Sequence, residues 1–156
     1  MGPAQKSTAV LKIEVTQQVH PDSRDVIARG LRTFNAQHLG NYEWVDLDVY
    51  VRDPDGQVVG GLIGDMALGW LAIHALWVKE DLRGSGMGTE ILSRAENAAM
   101  KNGCRAVILD TLSFQAPSFY EKRGYVRVAV IDDYRGGVQR IFMQKPLDRS
   151  PASDNK

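Results

Sequence analysis

The sequence predicts an α/β domain on a mixed sheet, in the order β-α-β-β-β-α-β-α-β-β, and three observations carry that prediction. Stretches of period-2 alternation take turns with stretches of helical spacing along the chain. Two adjacent strand-like runs meet at Asp53-Pro54-Asp55-Gly56, where the proline sets φ and the glycine tolerates positive φ, so they form a hairpin. The apolar runs at 69–78 and 105–110 are separated by an amphipathic helix, and a helical crossover makes the strands it joins parallel.

Taken in order, AVLKIEVT (9–16) alternates as a strand. HPDSRDVIARGLRTFNAQHLG (20–40) follows helical spacing through Val26, Ile27, Leu31 and Phe34, with Pro21 near its start and Gly40 past its end. The hairpin occupies residues 44–66, and GWLAIHALWV (69–78) is so continuously apolar that it belongs at the centre of the sheet. Ile91, Leu92, Ala95, Ala98 and Ala99 make one apolar stripe on a helix that stops at Gly103. RAVILD (105–110) is the next strand. A short helix then runs from Pro117 to Gly124, and YVRVAVI and VQRIFMQKPL close a sheet of six to seven strands around the turn DDYRGG. No internal repeat interrupts this order.

A chain of 156 residues forms one domain, which buries roughly 68–70% of its unfolded surface. The expected boundaries are a flexible N-terminus at 1–8, a single domain at 9–147, and a polar, disordered tail, DRSPASDNK, at 148–156. Lys and Arg number 19 and so do Asp and Glu; no global field draws the chain to nucleic acid or an anionic membrane, and neither is an expected partner. The single cysteine, Cys104, excludes an internal disulfide framework and a cysteine-rich zinc site, and opening a buried strand it reads as a small hydrophobe. His20 and His38 are too scattered to suggest a metal. With no apolar leader core or run of eighteen apolar residues, a cytoplasmic protein is expected.

The chemistry concentrates in LWVKEDLRGSGMGTEILSRAE (76–96), where Gly84, Gly86 and Gly88 stand between an apolar strand and a helix. Such a loop presents unpaired N–H groups and the positive end of a helix dipole, which bind phosphate, while glycine leaves room for the anion. A bare connection between strand and helix is the competing reading. The P-loop signature is absent because no Gly-Lys-Ser/Thr occurs, and G-x-G-x-G does not match the dinucleotide fingerprint G-x-G-x-x-G.

Arg83-Gly84-Ser85-Gly86-Met87-Gly88, following Leu76-Trp77-Val78, resembles the R/Q-x-x-G-x-G/A loop of the GNAT superfamily of acyl-CoA-dependent N-acetyltransferases. FYEKRGY (119–125) resembles a second block of that family, with Ala116 four residues before Tyr120. The likeness is strong over 69–125 and weak in the first sixty residues. Ser113 departs from it, since many relatives carry Asn seven residues before the tyrosine.

What the resemblance implies is the GNAT fold, acetyl-CoA as cosubstrate, and acetyl transfer to a primary amine through a ternary complex. The amides of Gly84, Ser85, Gly86, Met87, Gly88 and Thr89 would cradle the pyrophosphate beside Arg83. The backbone of Leu76 and Val78 would pair with the pantetheine arm, and the N–H of Leu76 or Trp77 would polarise the thioester carbonyl. Ser113, Ala116 and Phe119 complete the implied cofactor site. Tyr120 is the candidate acid, a phenol of pKa ~10 facing a leaving thiolate of pKa ~8.5, with simple packing as its alternative.

His74 is the candidate base; a satisfied core histidine is the competing reading. Asp110, Glu43, Asp46 and Asp48 are further candidates for that proton; they are also candidates, with Asp132 and Asp133 near the other acceptor loop, for holding a cationic acceptor such as a polyamine or aminoglycoside, and solvated surface charge is the alternative. Trp44, Trp70 and Trp77 line an acceptor pocket or the core. Lys122 and Arg123 meet the adenosine phosphate or cap their helix. A protein N-acetyltransferase and a non-catalytic CoA-binding domain are the rival functions. Family members are often dimers, so a monomer or a homodimer is expected.

Overall fold

Residues 11–147 are described by the structure, a computed structural model, and they fall into two units, 11–41 and 42–147. The expectations for 1–8 and 148–156, and for residues 9 and 10, lie outside the described residues. In the first unit, α1 (Pro21–Leu39) has proline in its first turn and ends at Gly40, whose φ of 71° lets its N–H reach back to the Ala36 carbonyl.

The strand expected at 9–16 is a correction: residues 11–16 form no strand, and Leu11, Ile13 and Val15 are exposed. Alternation specifies which side chains share a face, but a strand also needs a neighbour to accept its backbone hydrogen bonds. The sheet has six strands among the described residues.

The second unit runs β1 (Val45–Arg52), β2 (Val58–Ala67), β3 (Trp70–Val78), α2 (Met87–Lys101), β4 (Ala106–Leu112), α3 (Pro117–Glu121), β5 (Val126–Tyr134) and β6 (Val138–Pro146). Its strands join in the order β1-β2-β3-β4-β6-β5, antiparallel except for β3 with β4. The β1–β2 turn is the expected Asp53–Gly56, held by Asp53 Oδ1, which accepts from the N–H groups of Asp55 and Gln57.

The stripe on α2 buries Ile91, Leu92, Ala95 and Ala99 against Leu62, Leu71, Ile73 and Val107. Each of the larger aliphatic side chains contributes about 1.5–3 kcal/mol by leaving water. β3 and β4 are interior, as their apolar runs suggest, yet Trp77 is half exposed and Ile108 more than a third. The core lies on one face, and the apolar run marks position in the sheet rather than cover on both sides.

Two irregularities shape the sheet. β3 pairs with β4 only from Trp70–Ala106 to Ile73–Leu109; thereafter β3 continues along β2 while β4 continues along β6. Between Ile63 and Gly64 the β2–β3 register shifts: Ile63 faces Ala75 and Gly64 faces Ile73, leaving His74 as an extra residue in a β-bulge.

Candidate active site

Where β3 leaves β4 a cleft of about 970 Å³ opens. It is walled by Ile73 to Val78 of β3, by Leu109 to Thr111 of β4, by the glycine loop and α2 start, and by Ala116, Phe119 and Tyr120 of the α3 region. The two sequence blocks that carried the family likeness, 35 residues apart at Gly84 and Phe119, thus face one space.

The loop is shaped by backbone needs. Gly84 and Gly86 have φ of 74° and 86°, in the left-handed region that glycine enters without a Cβ penalty. Gly86 caps α2, whose first internal bond runs from the Glu90 N–H to the Gly86 carbonyl at 3.0 Å. The N–H groups of Met87, Gly88 and Thr89 are therefore left without helical partners. Gly88 has another reason to lack a side chain: a Cβ there would stand 3.2 Å from the Phe119 ring.

Arg123 locks this contact. Its guanidinium lies 3.7 Å from the centroid of Phe119, donates to the Phe119 carbonyl at 2.6 Å, and reaches Thr89 Oγ1 through both Nε and Nη2. It also lines the cleft, so a planar cation sits beside the N-terminus of α2.

Along β3 the backbone alternates. The Lys79 N–H donates to Val59 on β2, so Trp77 and Ala75 also turn their polar groups toward β2, while those of Val78 and Leu76 turn toward the cleft. Of the two amides considered for polarising a carbonyl, that of Leu76 is the one facing this space. The Val78 carbonyl already accepts from Arg83 Nε at 3.0 Å.

Tyr120 is 8% exposed, packed edge-on against Phe119 and Tyr125, and lines the cleft. Burial holds the phenol above its usual pKa. Tyr125, by contrast, is a structural anchor: its hydroxyl donates to Glu96 Oε1 at 2.8 Å, and Lys145 Nζ bonds Glu96 Oε2 at 2.7 Å.

His74 lines the cleft with its side chain 56% exposed, which replaces the core-histidine reading. In an unbroken register it would face Gly64 and share the α2 side of the sheet with Leu62 and Leu76; the bulge takes it off that face. Its Nε2 bonds Asp65, a nearly buried carboxylate on β2 that sequence reasoning passed over because nothing in the spacing of 65 and 74 betrays a one-residue bulge. Gln115 and Phe114, also on the cleft wall, were missed as well.

Other candidates stand apart. Ser85, Met87 and Ser113 are not on the cleft wall: Ser85 Oγ donates to the Leu82 carbonyl, the Met87 side chain packs on the core, and Ser113 Oγ accepts from the Gln139 N–H. Asp110 reaches the cleft, but Arg140 grips it through two bonds of 2.7 and 3.0 Å. Glu43 precedes β1 and Asp46 lies on it, at the sheet edge. Asp46 nonetheless faces Asp65 directly across the β1–β2 ladder. Trp77 lines the cleft and Trp44 does not. Cys104 is buried, and burial pushes its thiol up, away from nucleophile chemistry. No helix among the described residues is long and apolar enough to cross a membrane.

The chain is 31% identical over 124 residues to the acetyltransferase Atu2258 of Agrobacterium fabrum, covering 80% of this chain and 90% of that one. It is 39% identical over 99 residues to the blasticidin-S acetyltransferase of Streptomyces morookaense, covering 63% and 73%. A crystal structure from Agrobacterium tumefaciens superposes with a TM-score of 0.82 at 28% identity, over 87% of this chain and 99% of that one. Residues 18–125 match the family model described as the acetyltransferase (GNAT) family, and the chain belongs to that family of acetyltransferases.

Proposed function

We propose that the protein transfers the acetyl group of acetyl-CoA to a primary amine of a small, cationic molecule, such as a polyamine or an aminoglycoside antibiotic, within one ternary complex. The observation that carries this reading is the parting of β3 from β4 after Ile73–Leu109, which opens a helix N-terminus and a free backbone edge onto the same cleft.

In this reading the pyrophosphate meets the amides of Gly84 to Thr89, with Arg83 and Arg123 adding positive charge. The pantetheine arm runs along β3 and pairs with Leu76. The Leu76 N–H polarises the thioester carbonyl as the amine nitrogen attacks its carbon. For that attack His74 first takes one proton from the ammonium, freeing the lone pair; as the carbon–sulfur bond breaks, Tyr120 passes its proton to the departing thiolate and regains one from the nitrogen, which sheds its second proton to become the amide. The products are the acetylamide and coenzyme A.

The cationic acceptor is supported by the row Asp46–Asp65 beside His74, with Asp48 on the same side of β1. Like charges facing across a ladder repel, and a bound cation relieves that repulsion. The blasticidin-S acetyltransferase among the relatives supports a small acceptor over a protein one. A reducing compartment such as the cytoplasm, where the lone thiol Cys104 stays free, is the proposed location.

Thiol release from acetyl-CoA across a panel of polyamines, aminoglycosides, arylalkylamines, lysine peptides and peptide N-termini tests this. Release with a cationic small amine is expected. Release with the peptides alone contradicts the small-molecule reading, and none with any amine contradicts acetyl transfer to amines.

A further inference from the structure

We propose that Asp65 is the positioning residue for His74: it holds the imidazole in the Nε2–H tautomer, so that Nδ1 is the nitrogen that accepts the proton. This rests on His74 being the base.

Three observations lead there. First, the Asp65 side chain is only 12% exposed, and a carboxylate so far removed from water needs a charged or hydrogen-bonding partner. The hydrogen bond to its carboxylate comes from His74 Nε2, which as an N–H is the donor. A neutral imidazole has one donor and one acceptor nitrogen, so a carboxylate on Nε2 leaves the lone pair on Nδ1.

Second, the contact exists because of the bulge. Asp65 pairs with Ala72, and the extra residue on β3 brings His74 out of the core face to the side where Asp65 stands. Third, Gly64 makes the bulge affordable to the backbone. A Cβ at position 64 would come within 2.6 Å of the Ala72 carbonyl oxygen, so the two strands close up at this point only because residue 64 is glycine. Gly64, Asp65 and His74 form one device, read from neither strand alone.

The other charged groups around it are accounted for. Asp46 faces Asp65 from β1, and Asp110, across the cleft on β4, is neutralised by Arg140. Asp65 is therefore the carboxylate that orients the imidazole.

The test combines nitrogen-15 NMR of histidine-labelled protein with steady-state kinetics on wild type, Asp65→Asn, His74→Ala and the double variant. Wild type is expected to show His74 as the Nε2–H tautomer. In Asp65→Asn, an amide that also donates, that preference should be lost. Turnover should fall by roughly 100-fold or more with the KM for acetyl-CoA nearly unchanged, and the double variant should be no slower than His74→Ala.

Asp65→Asn that keeps the tautomer, or keeps wild-type turnover while His74→Ala is crippled, overturns the proposal. Full turnover in His74→Ala removes the base reading. A tautomer that still switches in Asp65→Asn then upholds the positioning by itself.

Discussion

His74 on β3 and Asp110 on β4 are each the first residue beyond the last parallel pair, Ile73–Leu109, so the strands part between them. One is held by Asp65 and the other by Arg140. In the proposed function this asymmetry separates their roles. A carboxylate locked in two bonds to a guanidinium is a poor proton acceptor, whereas an imidazole bonded through one nitrogen has a second nitrogen for the proton.

If His74 accepts the ammonium proton, the acidic limb of the kcat/KM profile against pH, measured with a saturating acceptor series, should disappear in His74→Ala. A limb of unchanged shape in the variant would assign the proton to another group. Asp110→Asn should leave the limb in place.

Tyr120→Phe should cut turnover by roughly 10²-fold or more while acetyl-CoA affinity and melting temperature stay close to wild type. The substitution keeps the ring, so its packing against Phe119 and Tyr125 survives. Because burial raises the Tyr120 pKa, the phenol keeps its proton past the usual value of ~10, and wild-type turnover should not fall through Tyr120 between pH 8 and 10. A decline in that window that vanishes in Tyr120→Phe would contradict the assignment.

Gly86 separates two effects of substitution. Gly86→Val places a branched side chain at a φ of 86°, costing about 1–2 kcal/mol of stability, and its Cβ, which meets no protein atom within 4 Å, projects into open space where the proposed pyrophosphate would be crowded. Gly86→Asn tolerates that backbone and tests the crowding alone. Calorimetric titration with acetyl-CoA should show at least about tenfold weaker binding for both, or 1.4 kcal/mol, with only the valine variant losing stability. Wild-type affinity in the asparagine variant would remove the pyrophosphate from this loop.

Glu96 ties α2 to Tyr125 and Lys145, and through the Tyr125 ring it steadies Tyr120. Removing it strands a Lys145 side chain that is three-quarters buried. Glu96→Ala should cost about 2–4 kcal/mol in urea unfolding. A loss below ~0.5 kcal/mol would mean the triad is only surface decoration.

Much of this was legible in the residues. The α2 stripe, the Asp53–Gly56 turn and the parallel β3–β4 pair follow from local spacing, because periodicity and turn chemistry act over a few residues. The glycine loop and FYEKRGY, marked in the sequence by their resemblance to the family, both contribute residues to one cleft. What stayed hidden was non-local. Whether residues 11–16 pair depends on a neighbouring edge, and the Asp65–His74 bond depends on a single-residue register shift opposite Gly64. Arg123 was visible as a charge in a last turn, while its stack on Phe119 over Gly88 needed three elements placed together.

The central claim is that the β3–β4 cleft and the α2 N-terminus hold acetyl-CoA, and backbone amide NMR during a titration with coenzyme A tests it most directly. The account predicts the largest shifts at Gly84 to Thr89 and at Leu76, with the β1 and β5 amides nearly still. Shifts confined to β1, β5 or α1, with the glycine-loop amides unmoved at saturation, would contradict it.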